Sequence, residues 1–437
     1  MKSLNKKDII ILGITLFSMF FGAGNLIFPP YLGNNAGENF IPAFLGFAVS
    51  AIGLPVLAVT AVTKSGGLNK LASRVHPAFS YIFIIILYLA IGPCLAIPRT
   101  ASTSFEMAIL PFYKPQSILP SIIYSFIFFT VAVIIAQKPE KLTEYLGKKL
   151  TPCLITLITI IFLGTMFFAV SSIPVSSTAY KSHSLIKGFL DGYQTMDTLA
   201  ALNFGIIISM NIMAKGIKEK KSVMKYTINA GWIAGILLFI IYLMLGLTGL
   251  FTDINRLNME NGAQILTVSV SSIFGHTGLI ILAIIFIIAC LNTCIGLFSC
   301  CGKYFSDIVP KISYRKWVMI FAITSFFIAN IGLTQILKYS VPILNILYPT
   351  SIVLIVLALI HNKIKNLKFI YPITIYVCIL FSVLIVFNQN GINTPLSNII
   401  ISKMPLYEIG FGWVVPTLIA FILSCLLNKI INKNLKQ

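Results

Sequence analysis

Long apolar stretches with few charged residues recur along this sequence, and they fit only one environment, the lipid bilayer. Of its 437 residues, 57% are hydrophobic and 10% are charged, whereas soluble domains carry about 25% charged residues. A membrane-spanning helix needs about 20 consecutive apolar residues, so a chain of this length has room for about a dozen. The composition therefore excludes a soluble enzyme and predicts a single membrane domain over residues 1–437.

Clusters of charged and turn-forming residues divide the apolar stretches into twelve predicted transmembrane helices, numbered here as spans 1 to 12. They cover residues 8–32, 39–63, 78–110, 117–137, 149–173, 190–214, 225–251, 264–301, 316–337, 339–361, 369–388 and 411–431. Spans 3 and 8 are longer than a bilayer requires, which predicts either a strong tilt or a first segment in the membrane interface. The predicted fold class is an all-α polytopic membrane protein.

The distribution of Lys and Arg predicts how these spans are oriented. With both termini in the cytoplasm, 25 of the 32 Lys and Arg residues fall in predicted cytoplasmic segments and 7 in outer ones, as the positive-inside rule requires. These loops explain the net charge of +20 without a nucleic-acid partner, and no pattern predicts an obligatory protein partner. The excess of Lys over Arg is typical of AT-rich bacterial coding, which favours a bacterial plasma membrane.

Span 1 contains a predicted break at Gly22-Ala23-Gly24-Asn25. The two glycines remove the side chains that favour helix, and Asn25 is a polar group deep in an apolar run. Unpaired backbone groups persist inside a membrane only where they line a protein-buried polar cavity. Close helix packing is the alternative explanation, but glycines two residues apart do not share one packing face, which favours unwinding.

Span 6 contains a second predicted break, where Asp197 follows Gly192-Tyr193-Gln194-Thr195-Met196. A carboxylate inside a membrane span indicates a functional site. It is also a suitable cap for an inner half-helix beginning near Thr198, and both roles are compatible, because a half-helix N-terminus in a cavity is itself a binding site.

The spacing of the two breaks predicts an inverted repeat. Five spans separate them, so residues 1–173 with spans 1 to 5 and residues 190–361 with spans 6 to 10 form two predicted halves of opposite topology. Residues 369–431, with spans 11 and 12, are then an addition. Interrupted helices at corresponding positions of two such halves indicate the midplane site of a secondary transporter.

Polar residues in spans 8 and 3 give two further candidates. Asn292 and Thr293 offer hard oxygen ligands for a small cation within an apolar helix, although interhelical hydrogen bonding explains them equally well. Arg99 and Glu106 lie two helical turns apart and share a face. They predict a structural ion pair or an extracellular gate.

Four stretches, residues 17–30, 92–106, 196–202 and 289–302, resemble the bacterial branched-chain amino acid carrier family over the whole chain. The resemblance implies a LeuT-type fold and uptake of leucine, isoleucine and valine with a cation, usually sodium.

The residues that match this family pattern imply two sites. The substrate site falls on Gly22, Ala23, Gly24, Asn25, Asp197, Thr198, Leu199 and Ala200, and the sodium site falls on Ser18, Phe21, Ala289, Asn292 and Thr293. Asn292 stands where the LeuT-type pattern usually has a hydroxyl. No cofactor is expected beyond sodium as the coupling ion, with a proton on Asp197 or Glu106 as the alternative.

The expected function is therefore sodium-coupled symport of branched-chain amino acids across the lipid bilayer. A channel would be expected to show rings of charged or carbonyl groups, and a sensor would usually carry a soluble signalling domain. An enzyme is not expected, because no His lies in the middle of a predicted span and no paired catalytic carboxylates appear.

Overall fold

The protein is described by a computed structural model, which places residues 4–113, 117–138, 143–168, 173–252, 262–363, 369–392 and 404–434. Several predicted connections lie outside the described residues, among them those that carry Lys114, Lys141, Arg256, Lys365 and Lys403. Residues 169–172, the end of predicted span 5, also lie outside them. The predicted orientation of the termini stays a prediction.

The described residues form α-helices, numbered here in chain order. The first nine are α1 Lys6–Phe20, α2 Ala23–Ala36, α3 Phe40–Ala48, α4 Leu54–Ser65, α5 Leu68–Ala72, α6 Pro77–Leu89, α7 Ala96–Ala108, α8 Leu119–Ala136 and α9 Thr151–Phe168. The others are α10 Thr178–Lys181, α11 Ser184–Tyr193, α12 Asp197–Ala214, α13 Lys220–Leu250, α14 Gly262–Ile308, α15 Tyr314–Ala329, α16 Leu333–Ile360, α17 Ile370–Gln389 and α18 Val414–Asn434. Short π-helical turns occur at Val49–Gly53, Ala90–Cys94 and Thr143–Leu150, and 3-10 turns at Gly37–Asn39 and His361–Lys363.

The described part of the chain has nine helical stretches that are long and apolar enough to cross a membrane. They are Ala23–Ser65, Pro77–Ala108, Leu119–Ala136, Leu146–Phe168, Asp197–Ala214, Lys220–Leu250, Gly262–Ile308, Leu333–Ile360 and Ile370–Gln389. The predicted all-α membrane fold is thus confirmed. The count of twelve spans and the inverted repeat stay predictions, since α1 and α15 are shorter than this length criterion.

Span 3 is interrupted in its middle, at Gly92 with φ −94° and ψ −124°, and the tilt or interfacial first segment expected of it stays a prediction. One predicted boundary is wrong. Spans 9 and 10 meet at Asn330–Gly332 and not at Lys338, because Gly332 with φ 98° ends the helical path. Lys338 is exposed on α16. The sequence-based boundary was placed at Lys338 because residues 317–337 contain no charged side chain.

The chain divides into two compact units by its backbone contacts. The first comprises residues 1–59 and 88–338, and the second comprises residues 60–87 and 339–437. In the second unit α17 packs against α18, and the Tyr371 hydroxyl donates to the Leu357 carbonyl at 2.9 Å. Both helix breaks lie in the first unit.

Two glycine contacts in the first unit bring α2 and α13 unusually close. A Cβ on Gly33 would lie 1.9 Å from the Gly246 carbonyl oxygen, and one on Gly249 would lie 2.1 Å from the Pro30 carbonyl oxygen. Small residues permit such backbone approach in membranes, where close packing replaces the hydrophobic effect between helices. This approach fixes α13 alongside α2 and so determines which α13 side chains face the first break.

Close packing at glycines also fixes α11 against α3. A Cβ on Gly46 would lie 1.9 Å from the Leu185 carbonyl oxygen, and one on Gly188 would lie 1.9 Å from the Ala43 carbonyl oxygen. Helix α11, which leads into the second break, therefore packs against α3 by the same kind of close backbone approach that joins α2, which follows the first break, to α13.

Candidate functional site

The first break separates α1 from α2 at Phe21 and Gly22, whose backbone is extended. The Gly22 N–H donates to the Asn25 side-chain carbonyl at 3.1 Å, so Asn25 pairs the backbone amide between the two helices. Helix α2 begins at Ala23, so of the predicted break at Gly22-Ala23-Gly24-Asn25 only Gly22 lies outside a helix. The ends of two helices therefore meet here, with the last carbonyls of α1 and the first N–H groups of α2 beyond their helical ladders.

The second break separates α11 from α12 at Gln194–Met196. Met196 adopts the left-handed conformation with φ 66°, and its N–H donates to the Tyr193 carbonyl at 3.1 Å. Helix α12 begins at Asp197, one residue before the predicted Thr198, and Met196 is its N-cap. The capping role predicted for Asp197 is therefore wrong, because Asp197 is already inside the helix and its carboxylate bonds elsewhere.

One buried hydrogen-bonded cluster joins the two breaks. The Asn25 side-chain N–H donates to Asp197 Oδ2 at 2.6 Å, and the Tyr242 hydroxyl of α13 donates to the same oxygen at 2.6 Å. Asn25 also donates to the Tyr242 hydroxyl oxygen. All three side chains are at most 2% exposed. Such a cluster lets a carboxylate stay buried, since donors replace the water it has lost.

Arg99 of α7 is tied to the second break. Its guanidinium donates to the Gln194 carbonyl at 2.9 Å and to the Thr195 carbonyl at 3.4 Å. A Cβ on Gly24 would lie 2.9 Å from Arg99 Nη2 and 3.2 Å from Thr195 Cα. Arg99 is therefore wedged between the breaks and supplies donors to carbonyls that the interrupted helix leaves unpaired.

The helix before the second break is anchored by Tyr180, which lies outside the predicted spans. The Tyr180 hydroxyl donates to Asp191, which also forms an ion pair with Lys187 one turn away on α11. Burial, and then the neighbouring Asp191 carboxylate, raise the pKa of Tyr180 well above its usual value. The hydroxyl therefore stays protonated and remains a donor at any physiological pH.

A small cavity lies between the two breaks, with a free volume of about 20 Å³, enough for one water-sized group. Its wall includes most of the predicted site residues, namely Gly22, Ala23, Gly24, Asn25, Asp197, Ala200, Thr293 and Arg99. Apolar side chains complete it, among them Met19, Ile91 and Leu297. Thr198 and Leu199 lie outside the wall, and Thr198 donates to the Ser50 carbonyl at 3.3 Å.

The residues predicted to hold sodium lie where α1 packs against α14. Ala289, Asn292, Thr293 and Gly296 are spaced three or four apart and share one helical face. A Cβ on Gly22 would lie 2.5 Å from Thr293 Oγ1, and one on Gly296 would lie 3.1 Å from Met19. That face therefore meets the end of α1 that carries Ser18 and Phe21.

This contact contains polar atoms without partners among the described residues. Ser18 Oγ, Thr293 Oγ1 and both amide atoms of Asn292 are buried and make no hydrogen bond within that part of the chain. Buried polar groups are nearly always paired, so a cluster of exceptions requires an explanation. Hydroxyl and amide oxygens are the ligands that hard cations prefer.

Tyr242 is the residue that sequence reasoning missed. It lies in the apolar run of span 7, which also contains Tyr226 near its start, and a tyrosine hydroxyl there was the only available signal. The acceptors of Arg99 were missed as well, because backbone carbonyls leave no trace in a sequence. The predicted Arg99 and Glu106 pairing or gate stays a prediction; both residues lie on α7.

Comparison with known proteins identifies the family. The family model described as branched-chain amino acid transport protein matches residues 5–431. The chain belongs to this family. It is 40% identical to the branched-chain amino acid permease BraB of Bacillus subtilis (strain 168), over 98% of this chain and 97% of that protein. It is 37% identical to the branched-chain amino acid transport system 2 carrier protein of Pseudomonas aeruginosa, over 99% of each.

The family and these relatives are carriers and not enzymes. Together with the apolar helices of this chain, they indicate an integral protein of a bacterial cell membrane. The fold resembles Mhp1, a nucleobase-cation-symport-1 family transporter, with TM-score 0.61 and 10% identity over 98% of this chain and 93% of that one. It also resembles a Na⁺-coupled sialic acid symporter, with TM-score 0.60 and 12% identity over 96% and 90%. At these identities the likeness concerns the fold alone.

We predict that Tyr242→Phe destabilises this carrier by about 1–3 kcal/mol, because the change leaves Asp197 with one donor fewer in a buried position. Thermal unfolding of the purified protein measures the effect. Tyr226→Phe is the matched control on the same helix, since the Tyr226 hydroxyl only accepts the Leu4 N–H at 3.3 Å. Equal melting temperatures for the two variants would contradict the role given to the cluster.

Proposed function

We propose that this chain is a secondary active symporter that takes up leucine, isoleucine and valine with a sodium ion by alternating access. Membership of a family whose named relatives are branched-chain amino acid permeases supports the substrate class. The observation that carries the mechanism is the pair of broken helices joined through Asn25 and Asp197 at a buried cavity. Such paired breaks form the substrate sites of many secondary transporters.

In this proposal the substrate carboxylate binds at the N-terminus of α2. The first N–H groups of a helix, here those of Ala23, Gly24 and Asn25, have no acceptor in their own helix and carry the positive end of its dipole. An anionic group is therefore stabilised there without a charged side chain. Asp197 and Tyr242 hold Asn25 in the rotamer that keeps this end open.

The substrate ammonium group then binds carbonyls at the C-terminal end of α1. The carbonyls of the second break are less suited, because Gln194 and Thr195 already accept from Arg99. The carbonyls past the end of the α1 ladder, from Ser18 to Phe21, face the same break as the carboxylate site. One interrupted helix thus supplies both donors for the carboxylate and acceptors for the ammonium.

The branched aliphatic side chain is placed among the apolar wall residues Met19, Phe20, Ile91, Ala200 and Leu297. The free volume of about 20 Å³ is too small for a leucine side chain. Substrate entry therefore requires the helices that form this wall to move apart, as alternating access demands. Arg99, which bridges α7 and the second break, is the gate residue in this proposal, together with Glu106.

Sodium is proposed to bind between α1 and α14, on the unpartnered oxygens of Ser18, Asn292 and Thr293, with backbone carbonyls near Phe21 and Ala289. Thr293 also contacts Gly22 at the first break. An ion held there draws the end of α1 onto α14 and orders the backbone that binds the amino acid. The coupling between ion and substrate is expected to be about 1–3 kcal/mol and is reciprocal.

We expect Asp197→Asn to reduce leucine uptake strongly while the amount of carrier in the membrane stays near normal. The amide still fills the position but loses the charge that accepts from both Asn25 and Tyr242. Uptake of labelled leucine into cells, normalised to membrane abundance, measures the effect. Asp307→Asn is the control, since Asp307 is exposed and its ion pair is with Lys303, away from the two breaks. Unchanged uptake would contradict a role for Asp197 in the substrate site.

We expect leucine uptake into proteoliposomes to follow an imposed sodium gradient, with Thr293→Val raising the half-saturating sodium concentration about tenfold, within the usual range of coupling energies. The valine side chain keeps the shape of threonine but removes the unpartnered oxygen. Ser299→Ala is the control on the same helix, because the Ser299 hydroxyl already donates to the Ile295 carbonyl at 2.8 Å.

Uptake that follows a proton gradient and ignores sodium would contradict the sodium assignment and favour proton coupling. Uptake that never exceeds the external concentration under either gradient would contradict symport altogether.

A further inference from the structure

A second and larger cavity opens on the side of the first unit, as a groove of about 310 Å³ between α8 and α15. Its walls are mostly large apolar side chains, among them Phe126, Phe129 and Ile134 on α8 and Met319, Ile323 and Phe327 on α15. Phe126, Ile134 and Phe327 are each more than 60% exposed. Because α8 is long and apolar enough to cross a membrane and α15 packs against it, we expect this groove to face the lipid.

The two helices touch at both ends of the groove. At one end the Tyr314 hydroxyl of α15 donates to the Ala136 carbonyl of α8. At the other, the Asn330 side chain accepts from the Ser121 hydroxyl at 3.0 Å and donates to the Ser125 hydroxyl at 3.0 Å. The groove is therefore part of the helix packing and not a gap between loose helices.

The length of the groove matches one leaflet. It runs along α8 from Phe126 to Gln137, which is about 16 Å at 1.5 Å per residue. Half of the hydrocarbon core of a bilayer is about 15 Å. The groove thus has the depth that a single acyl chain needs to lie along the protein surface.

Three exposed basic residues lie at the Tyr314 end of the groove. Lys138 follows the end of α8, and Arg315 and Lys316 begin α15. Arg315 lies four residues before Met319 and seven before Ala322, and Lys316 lies seven before Ile323. At this helical spacing both basic residues share the face of α15 that forms the groove. The three ion pairs found among the described residues involve other lysines.

We propose that this groove binds one acyl chain of an anionic phospholipid, whose phosphate lies against Lys138, Arg315 and Lys316. Basic residues just outside a membrane span attract anionic lipids of the cytoplasmic leaflet, and the positive-inside pattern places these three residues on that side.

A second copy of the chain fits this groove less well. Helices associate in membranes through small residues that let their backbones approach, whereas bulky Phe, Ile and Met side chains line this groove. A flexible acyl chain fills the space between such side chains without requiring a matching helix surface.

The test measures lipid retained by the full-length carrier. The purified protein is reconstituted into nanodiscs with equal parts of phosphatidylglycerol and phosphatidylcholine that carry the same acyl chains, and the retained lipids are counted by native mass spectrometry. We expect phosphatidylglycerol to be enriched on the parent protein. In the K138Q/R315Q/K316Q variant we expect the ratio of retained phosphatidylglycerol to phosphatidylcholine to fall at least about fivefold. The control variant K218Q/K220Q/K221Q, which removes three exposed lysines elsewhere, is expected to keep the parental ratio.

A second variant tests the groove itself. Thr130→Trp places a large ring in the groove from an exposed position, and Thr324→Trp places one on α15 outside it. Both threonines donate only to their own helices, at 2.7 Å and 2.9 Å, so neither change breaks a tertiary contact. We expect Thr130→Trp to lose the retained lipid and Thr324→Trp to keep it.

Four results would overturn the proposal. Equal retention of both lipids by the parent protein would contradict the anionic preference. Enrichment of phosphatidylglycerol on K138Q/R315Q/K316Q equal to that on the parent protein would contradict the role of the basic residues. Lipid retained by Thr130→Trp would place the binding outside the groove. A dimer of the parent protein that Thr130→Trp abolishes would make the groove an interface between two copies.

Discussion

The hydrogen bond between Asn25 and Asp197 is the interaction on which the site depends. It joins the only two positions in spans 1 and 6 where the backbone leaves its helix, and it does so with both side chains almost wholly buried. An unpaired carboxylate at that depth would be very costly. Asp197 is tolerated because Asn25 and Tyr242 both donate to it, and the same bonds hold three helices in a fixed relation.

The two breaks play different parts around this bond. At the second break Arg99 already binds the freed carbonyls, so that side of the cavity is structurally complete. At the first break the C-terminus of α1 offers carbonyl acceptors and the N-terminus of α2 offers N–H donors. Beside it, the buried polar atoms of Ser18, Asn292 and Thr293 have no hydrogen-bond partner within the described residues. In the proposed mechanism, the amino acid and the cation would therefore both bind at the first break and share one moving element.

The sequence was informative wherever a local rule was broken. Glycines beside Asn25 and a carboxylate at Asp197 both conflict with an apolar helix, and the breaks lie within a residue or two of the predicted positions. Tyr242 could not be found in this way, since one tyrosine in an apolar run is ordinary and its role depends on how closely Gly33 lets α13 approach α2. The partners of Arg99 are backbone carbonyls and have no residue signature. The boundary at Gly332 was missed because glycine breaks a helix only where the backbone requires a positive φ, whereas the charge of Lys338 is visible in any sequence.

A structure of the carrier determined by electron cryomicroscopy with bound leucine in sodium chloride would show whether the amino acid binds at the first break. We expect leucine density between the two breaks, with its carboxylate within hydrogen-bonding distance of the N–H groups of Ala23, Gly24 and Asn25, and with Asp197 still bonded to Asn25. Leucine bound elsewhere, or a span 1 that runs through Phe21 and Gly22 as one continuous helix, would contradict it.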